Sequence, residues 1–218
     1  MTSHLTGTMS IHVRGTTLIE LMIALAIVAL LLAIGYPNLT QYLQNAQVRG
    51  AAEATVSGVQ LARSEAIRRN TFVRLTLTTT LDGACASSAA GTNWVVSRNS
   101  PDGACDVDPV VDFVDPNDGT VQILQKRASA EGSPNAVIAS ADDAGTGRPT
   151  IIFNGLGRIQ GAAGINRVDI NVTNPTGGAC VATGLGPVRC LRVSVSIAGD
   201  VKLCDPAVVA PDPRTCPN

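Results

Sequence analysis

The chain has 218 residues, of which 45% are hydrophobic and only 3% are aromatic, and its formal net charge is -1. A net charge this close to zero provides no overall electrostatic attraction to nucleic acid. The only two histidines, His4 and His12, precede residue 15. A chain shortened beyond that point would lack the commonest general base and metal ligand. The composition therefore argues against an enzyme, and no cofactor or resident metal ion is predicted.

A long apolar run dominates the N-terminal region. It covers residues 18–34 and contains a single charged residue, Glu20. A run of about 20 apolar residues is long enough to span a membrane, and a carboxylate within such a run is costly and usually functional. If the chain is cut after Gly15, the new amino group of Thr16 lies about one helical turn from Glu20. A carboxylate near a helix N-terminus also interacts favourably with the helix dipole.

The heptapeptide RGTTLIE at residues 14–20 resembles the prepilin signature of type IV pilins and type II secretion pseudopilins. The resemblance implies that prepilin peptidase cuts after Gly15 and methylates the new N-terminus at Thr16. It also implies that Glu20 pairs with the N-terminus of a neighbouring subunit during filament assembly. This chain has Thr16 where the family usually has Phe. Residues 1–15 are then the leader.

Two other interpretations of the same stretch stay open at this point. A secretory signal peptide would be cut after its apolar core, and the small residues around Ala33-Ile34-Gly35 would allow this. A plain single-pass anchor would use residues 16–36, but it leaves Glu20 unexplained. The start of the leader is also open, because either Met1 or Met9 would serve.

The helix is predicted to cover residues 16–69 and to kink at Pro37, because proline lacks a backbone N–H and crowds the preceding turn. Residues 16–36 would be the transmembrane or filament-core part, and residues 37–70 an amphipathic part. Arg63 lies within the apolar face of that second part, so it should need a carboxylate or carbonyl partner. The other residues of this face are small and recur with the helical period: Val48, Ala52, Val56, Val59, Ala62 and Ala66.

Residues 71–218 are predicted to form a β-rich head, because one long helix is followed only by strand patterns. The fold class is therefore α+β, a pilin-like arrangement in which a long N-terminal α-helix packs on a C-terminal antiparallel β-sheet domain. Ala198-Gly199-Asp200 is typical of a tight hairpin turn. The candidate strands cover residues 71–78, 93–98, 110–114, 121–125, 136–139, 150–154, 158–160, 167–173, 188–197 and 201–204.

Six cysteines follow the apolar run. An even number of cysteines beyond an export segment predicts disulfides in an oxidising compartment. Six cysteines allow many pairings, so the connectivity is open, but closure of short loops favours neighbours along the chain. The favoured pairs are Cys85 with Cys105, Cys180 with Cys190, and Cys204 with Cys216.

The sequences ARSEAIRRN at residues 62–70 and FNGLGR at residues 153–158 resemble the FimT/GspH branch of minor pilins and pseudopilins. The resemblance implies partners that are other major and minor pilins or pseudopilins, besides prepilin peptidase. It also implies a single-pass protein of the bacterial inner membrane with a periplasmic head, later part of a pilus or pseudopilus.

Three roles within this branch compete. They are a FimU-like minor pilin in the tip or priming complex of a type IV pilus, an H-type minor pseudopilin of type II secretion, and a FimT-like DNA receptor for transformation. The cysteine-rich tail at residues 204–217 resembles pilus members more than secretion members. A minor pilin is therefore the predicted function.

DNA binding is not favoured. DNA-binding members carry a basic Gly-Arg-x-Arg motif near the C-terminus, whereas this chain has GDVK at residues 199–202, with an acid in place of the first arginine. Phosphate contacts require clustered basic side chains. The candidate DNA contacts are Arg189, Arg192, Lys202 and Arg214.

Two further charged clusters have simple interpretations. Four arginines near the end of the helix and the start of the first strand (Arg63, Arg68, Arg69 and Arg74) complement the negative end of the helix dipole. An acidic stretch offers the oxygen ligands that a calcium site uses, but it departs from the EF-hand pattern: Gly119 is one position early and Lys126 stands where the last Glu belongs. We interpret the stretch as a solvated acidic loop. Its aspartates are Asp102, Asp106, Asp108, Asp112, Asp115 and Asp118.

Overall fold

The structure is a computed structural model, and it describes residues 15–112, 119–128, 131–160, 164–181 and 186–217. Its contacts divide the chain into two compact units between Leu39 and Thr40. Each unit is described by itself. The predicted leader, with His4, His12, Met1 and Met9, lies outside the described residues except for Gly15.

A single helix, α1, covers Leu18–Arg69, so it begins two residues later than predicted. The reason is a cap. The hydroxyl of Thr17 accepts a hydrogen bond from the backbone N–H of Glu20 at 3.3 Å, which makes Thr17 the N-cap of the helix.

The helix ends as predicted at residue 69. Asn70 has a φ of 47°, the left-handed conformation that commonly terminates a helix and that Asn tolerates. The N–H of Thr71 donates to the carbonyl of Ala66 at 3.1 Å, and the N–H of Asn70 donates to that of Ile67 at 3.2 Å. These two bonds form the Schellman pattern and satisfy the last carbonyls of the helix.

In the described residues eight strands follow the helix, and they confirm the α+β class. They form two four-stranded antiparallel sheets, with the orders β3-β2-β1-β5 and β4-β6-β7-β8. The strands are β1 Val73–Thr78, β2 Asn93–Ser97, β3 Ile123–Arg127, β4 Val137–Asp142, β5 Thr150–Phe153, β6 Arg167–Thr173, β7 Leu191–Ser196 and β8 Val201–Cys204.

Some strand limits differ from the predicted ones. Residues 110–112 are not a strand, because Val110 makes only one ladder-like bond, from its N–H to the carbonyl of Ile123. Residues 113–114 lie outside the described chain. The candidate at 158–160 is reduced to one isolated bridge, between Phe153 and Ile159, and Val188 likewise makes an isolated bridge with Cys180. The predicted hairpin is present, since β7 and β8 pair around a turn in which Gly199 has a φ of 86°.

The main core lies where the second half of α1 meets both sheets. Val48, Ala52, Val59, Ala62 and Ala66 are fully buried in it, and Val56 is partly buried. This confirms the predicted face. Small side chains permit the close approach: a Cβ added at position 58 would lie 2.9 Å from Leu75 and 3.2 Å from Trp94. Leucine or valine at that position would push the sheet away from the helix.

Strand β1 is buried on both faces, which the alternation of its residues did not predict. Leu75 and Leu77 belong to the main core, whereas Thr76 faces the other way and is still buried. A second small core covers that face. It consists of Cys85, Val95, Cys105 and Ile123. The loop closed by the Cys85–Cys105 disulfide therefore covers the outer face of the first sheet.

Candidate functional site: the N-terminal segment and the charged clusters of the head

The first turn of α1 presents the predicted assembly residue. Gly15, Thr16 and Thr17 precede the helix and are exposed. The Thr17 cap makes Glu20 the third residue of the helix, and its carboxylate is exposed near the positive end of the helix dipole. The arrangement leaves the carboxylate available to an outside cation. The TxxE pattern was readable in the sequence, but the role of Thr17 as the cap was not predicted.

The apolar run after this turn is uncovered in the N-terminal unit. Its large side chains are each at least half exposed. A continuous apolar surface of this extent marks a site that lipid or other helices cover. The exposed residues are Leu18, Ile19, Leu21, Met22, Ile23, Leu25, Ile27, Val28, Leu30, Leu31 and Leu32.

Within the part of the chain that the structure describes, no single helix is long and apolar enough to cross a membrane. A broken pair, Leu18–Ala33 with Asn38–Arg69, meets the requirement by length and composition only. The kink at Pro37 stays a prediction, as do the cleavage after Gly15 and the methylation of Thr16.

Arg63 has the partners that its position required. Its Nε donates to the carbonyl of Gly157 at 3.2 Å, and its Nη2 lies 3.9 Å from Oδ1 of Asp200. A Cβ added to Gly199 would collide with the Gly157 carbonyl and would come within 2.9 Å of the Arg63 Nε. Arg63 therefore joins α1 to two turns, one after β5 and one between β7 and β8.

The arginines at the end of α1 are also paired within the chain. Glu65 accepts hydrogen bonds from Arg68 and Arg69, and Asp112 lies 3.2 Å from Nη2 of Arg69. The bonds from Arg68 first, and those from Arg69, hold the pKa of Glu65 below its usual value despite the opposing effect of burial. Arg74 donates to the carbonyl of Arg98, and its burial lowers its pKa. These contacts support the interpretation as a local complement to the helix end.

The four candidate DNA contacts all have acceptors in the same chain. Nε of Arg189 lies 3.0 Å from Asp205, and Nη2 of Arg214 lies 2.8 Å from Asp212. That hydrogen bond from Arg214 is the largest cause that lowers the pKa of Asp212 to about 2.

The other two candidates lie on β7 and β8. Arg192 donates to Asn171 at 2.8 Å and lies 3.6 Å from Asp169, while the Nζ of Lys202 donates to the carbonyl of Thr215 at 2.8 Å. Asp169 also accepts a 2.6 Å bond from Ser194. Each of the four basic side chains therefore already has an acid, an amide oxygen or a carbonyl as its acceptor.

The acidic loop has its own cation. The Nζ of Lys126 donates to three consecutive carbonyls, those of Cys105, Asp106 and Val107, at 3.0, 3.1 and 3.1 Å. The lysine that breaks the EF-hand pattern therefore binds the loop. Among the described residues no group suited to hold a metal ion is found, and Asp115 and Asp118 lie outside that part of the chain.

A row of amides on α1 was missed by the sequence reasoning. Gln41 donates to the carbonyl of Pro187 at 3.1 Å, and the side chain of Asn45 accepts from the N–H of Arg189 at 2.8 Å. Asn174 donates to Gln47 at 3.2 Å. These bonds fasten the segment before β7 to the helix. No local pattern identifies them, because their partners are more than a hundred residues away in the sequence.

The three disulfides have the pairing that short-loop closure favoured. They join Cys85 to Cys105, Cys180 to Cys190 and Cys204 to Cys216, and the described chain has no free cysteine.

Comparison with known families identifies the class of protein. A family model described as type II transport protein GspH matches residues 51–199, and a model of the prokaryotic N-terminal methylation motif matches residues 12–36. A capped helix with a methylation motif, followed by such a head, defines a pilin-like protein, a structural subunit that prepilin peptidase processes. The chain belongs to the GspH family, which comprises minor pilins and pseudopilins.

Two solved structures illustrate what the chain is similar to. A crystal structure of the type IV minor pilin FimU of Pseudomonas aeruginosa is 13% identical, with a TM-score of 0.45, over 75% of this chain and 98% of that one. The minor pseudopilin EpsH of the type 2 secretion system of Vibrio cholerae is 10% identical, with a TM-score of 0.40, over 74% and 99%. No curated protein sequence matches the chain.

Proposed function

We propose that this chain is a minor pilin of a type IV pilus that acts in the tip or priming complex. Prepilin peptidase cuts it after Gly15 and methylates Thr16, and the mature chain assembles through its N-terminal helix. The observation that carries the proposal is the exposed apolar surface of residues 18–32 behind an exposed carboxylate, Glu20, in the first helical turn.

The same apolar surface serves two states. Before assembly it anchors the subunit in the inner membrane, with the head in the periplasm. In the filament the helices of neighbouring pilins replace lipid, because both surroundings are equally apolar. Glu20 then neutralises the terminal amine of a neighbouring subunit. Removing one partner of a buried ion pair leaves an uncompensated charge and costs about 3–5 kcal/mol.

The experiment has two parts. Mass spectrometry of the purified protein should show that the mature chain begins at N-methylated Thr16. Glu20→Ala should leave membrane insertion intact and abolish incorporation into filaments, measured in sheared filament fractions. Glu53→Ala is the matched control, because Glu53 is an exposed glutamate of the same helix that pairs only with the exposed Arg49 in the described chain. Normal incorporation of Glu20→Ala would refute the proposal.

An H-type minor pseudopilin of type II secretion is the second candidate. The description of the matching family as type II transport protein favours it, whereas the cysteine-rich tail favours a pilus. Deletion of the gene distinguishes the two. The proposal expects loss of surface pili with normal secretion of exoproteins, and the reverse result would establish the pseudopilin.

DNA reception is a weaker candidate, since the four basic residues considered for it already have acids or carbonyls as partners. A gel-shift assay of the full chain in detergent, with Arg192→Ala and Lys202→Ala as variants, provides the test. We expect no shift at low salt. A shift that both variants weaken would instead support a receptor role.

A further inference from the structure

The turn that follows β5 has a backbone held by its own hydrogen bonds. We call residues 154–158 the β5 turn. The side-chain Oδ1 of Asn154 accepts the backbone N–H groups of Leu156 and Arg158, at 3.0 and 3.1 Å. The N–H of Gly157, which has a φ of 72°, donates to the carbonyl of Asn154 at 2.8 Å. The shape of the turn is therefore set before any partner binds.

The β5 turn also packs directly on the end of α1. Its Gly157 carbonyl accepts a hydrogen bond from Nε of Arg63 at 3.2 Å. A Cβ added to Gly155 would lie 3.0 Å from Cα of Asn70, and one added to Gly157 would lie 2.7 Å from Cδ1 of Ile67. The two glycines thus allow the turn to touch the last residues of the helix, and this contact fixes its position in the head.

Two side chains of this fixed turn face solvent. Leu156 is 77% exposed. Arg158 is exposed, and its guanidinium makes no hydrogen bond or ion pair within the described part of the chain, although its backbone N–H is bound. The neighbouring Arg63, by contrast, is bound to Gly157 and lies 3.9 Å from Asp200. An exposed leucine and an unpaired arginine on a preorganised turn are suited to an outside partner, because little freedom is lost on binding.

The position of the β5 turn indicates the kind of partner. The head unit begins at Thr40, and from there to Ile67 the helix extends about 40 Å. The apolar segment precedes Thr40, so lipid that covers residues 18–32 is not expected to reach the turn. The family implies assembly with other pilins. An unpaired guanidinium is best satisfied by a carboxylate, which it binds through two parallel hydrogen bonds.

We propose that the β5 turn docks on the head of a different pilin-like subunit, which presents a carboxylate beside an apolar depression. The carboxylate binds the guanidinium of Arg158, and Leu156 fills the depression. Ile67, which lies against Gly157 and is 48% exposed, adds apolar surface beside them. Because another protein supplies the depression, the contact forms once in a complex and does not repeat along a filament. The inference rests on the proposed function, since a tip complex brings a different pilin against this head.

Photo-crosslinking of the full chain, in the cells that produce it, tests the contact. The chain carries a photoreactive residue in place of Leu156. We expect an adduct with another protein that has an N-terminal methylation motif, and mass spectrometry should find Asp or Glu in the cross-linked peptide. A photoreactive residue in place of Val209 is the matched control, because Val209 is also 77% exposed but belongs to the C-terminal tail. It should not label the same peptide.

Charge substitutions separate a specific pairing from a general loss. In the photoreactive chain, Arg158→Gln should lower the adduct yield about fivefold, because the ion pair is lost. Arg49→Gln, at an exposed arginine that pairs with Glu53, should leave the yield unchanged. Arg158→Glu should abolish the adduct, and replacing the acid of the cross-linked partner peptide by arginine should then restore it. Both arginines are exposed, so folding should be normal, which unchanged mobility on a non-reducing gel would verify.

Four results would overturn the inference. They are the absence of an adduct, an adduct only with lipid, nucleic acid or a second copy of this chain, an adduct only with a protein that lacks the methylation motif, and a yield that does not depend on the charge of Arg158.

The Glu20→Ala variant keeps this inference distinct from the proposed function. If that variant is excluded from filaments and the adduct is absent from the unsubstituted chain, only the docking of the β5 turn fails. If the variant assembles normally while the adduct forms, the proposed assembly route fails and the contact between heads stands.

Discussion

The two units of this chain are stabilised in opposite ways. In the N-terminal unit the apolar side chains from Leu18 to Leu32 are exposed, and the helix start is held by one side-chain cap, Thr17. In the head unit one face of α1 is buried against two sheets, and three disulfides close loops. The apolar surface of the first unit therefore needs lipid or other helices to cover it, whereas the head buries its apolar side chains in its own core. Substitutions should separate the two.

The largest effect is expected for paired leucine truncations. Leu75→Ala should destabilise the head by about 2–5 kcal/mol, because a buried side chain is replaced by a cavity; Leu75 is 1% exposed. Leu25→Ala, at a residue 61% exposed, should leave the thermal unfolding of the head unchanged. Near-UV circular dichroism of the full chain in detergent measures both. Equal losses would contradict the separation of the units.

Loss of the Cys204–Cys216 disulfide should come next. The Cys204→Ser/Cys216→Ser variant should lose about 3 kcal/mol of head stability, because the bridge closes a loop of 12 residues and restricts the unfolded chain. Denaturant unfolding monitored by the fluorescence of Trp94 gives the value. Membrane insertion of the same variant should be normal, and a failure to insert would show that the two units depend on each other.

Arg63 should have a smaller but specific effect. Arg63→Met removes the hydrogen bond to Gly157 and the contact with Asp200, and should cost about 1–2 kcal/mol because the Gly157 carbonyl loses its donor. Arg49→Met is the matched control on the same helix. It removes an exposed i,i+4 pair, which contributes about 0.3–0.5 kcal/mol. An equal cost for both would mean that Arg63 does not join the helix to the two turns.

The smallest effect concerns pH. The pKa of Asp212 is lowered from 3.8 to about 2 in the folded head, chiefly by its hydrogen bond with Arg214. A lowered folded-state pKa stabilises above the unfolded value, and that contribution is lost as pH falls from about 4 to about 2. In NMR titrations of the carboxyl groups, Arg214→Gln should raise the Asp212 pKa towards its ordinary value. Because the pair is at the surface, salt should weaken the shift, and an unchanged pKa in the variant would contradict the pairing.

Local signals carried much of the prediction. The end of α1 at Arg69 and the limits of β6 and β8 followed from periodicity and turn residues. The predicted start of α1 was two residues too early, because the cap by Thr17 had not been recognised. The family also followed from short motifs, which the matches at residues 12–36 and 51–199 confirm. These features depend on neighbours within a few residues, so a linear pattern contains them.

Other features needed contacts between distant residues. The alternation in β1 did not indicate that Thr76 is buried by a separate loop, nor that the strands divide into two sheets. The sequence of the acidic loop was compatible with a solvated loop or with a calcium site. In the structure the ammonium group of Lys126, on strand β3, binds the backbone of this loop.

The sequence by itself thus determined the helix, the favoured cysteine pairs, the β-rich head and the family, because periodicity, short loop closure and motifs are local properties. Only the tertiary structure decided which charged side chains pair with one another. A charged side chain takes its partner from whatever the fold brings within about 4 Å, and for Arg63 that partner lies 94 residues away.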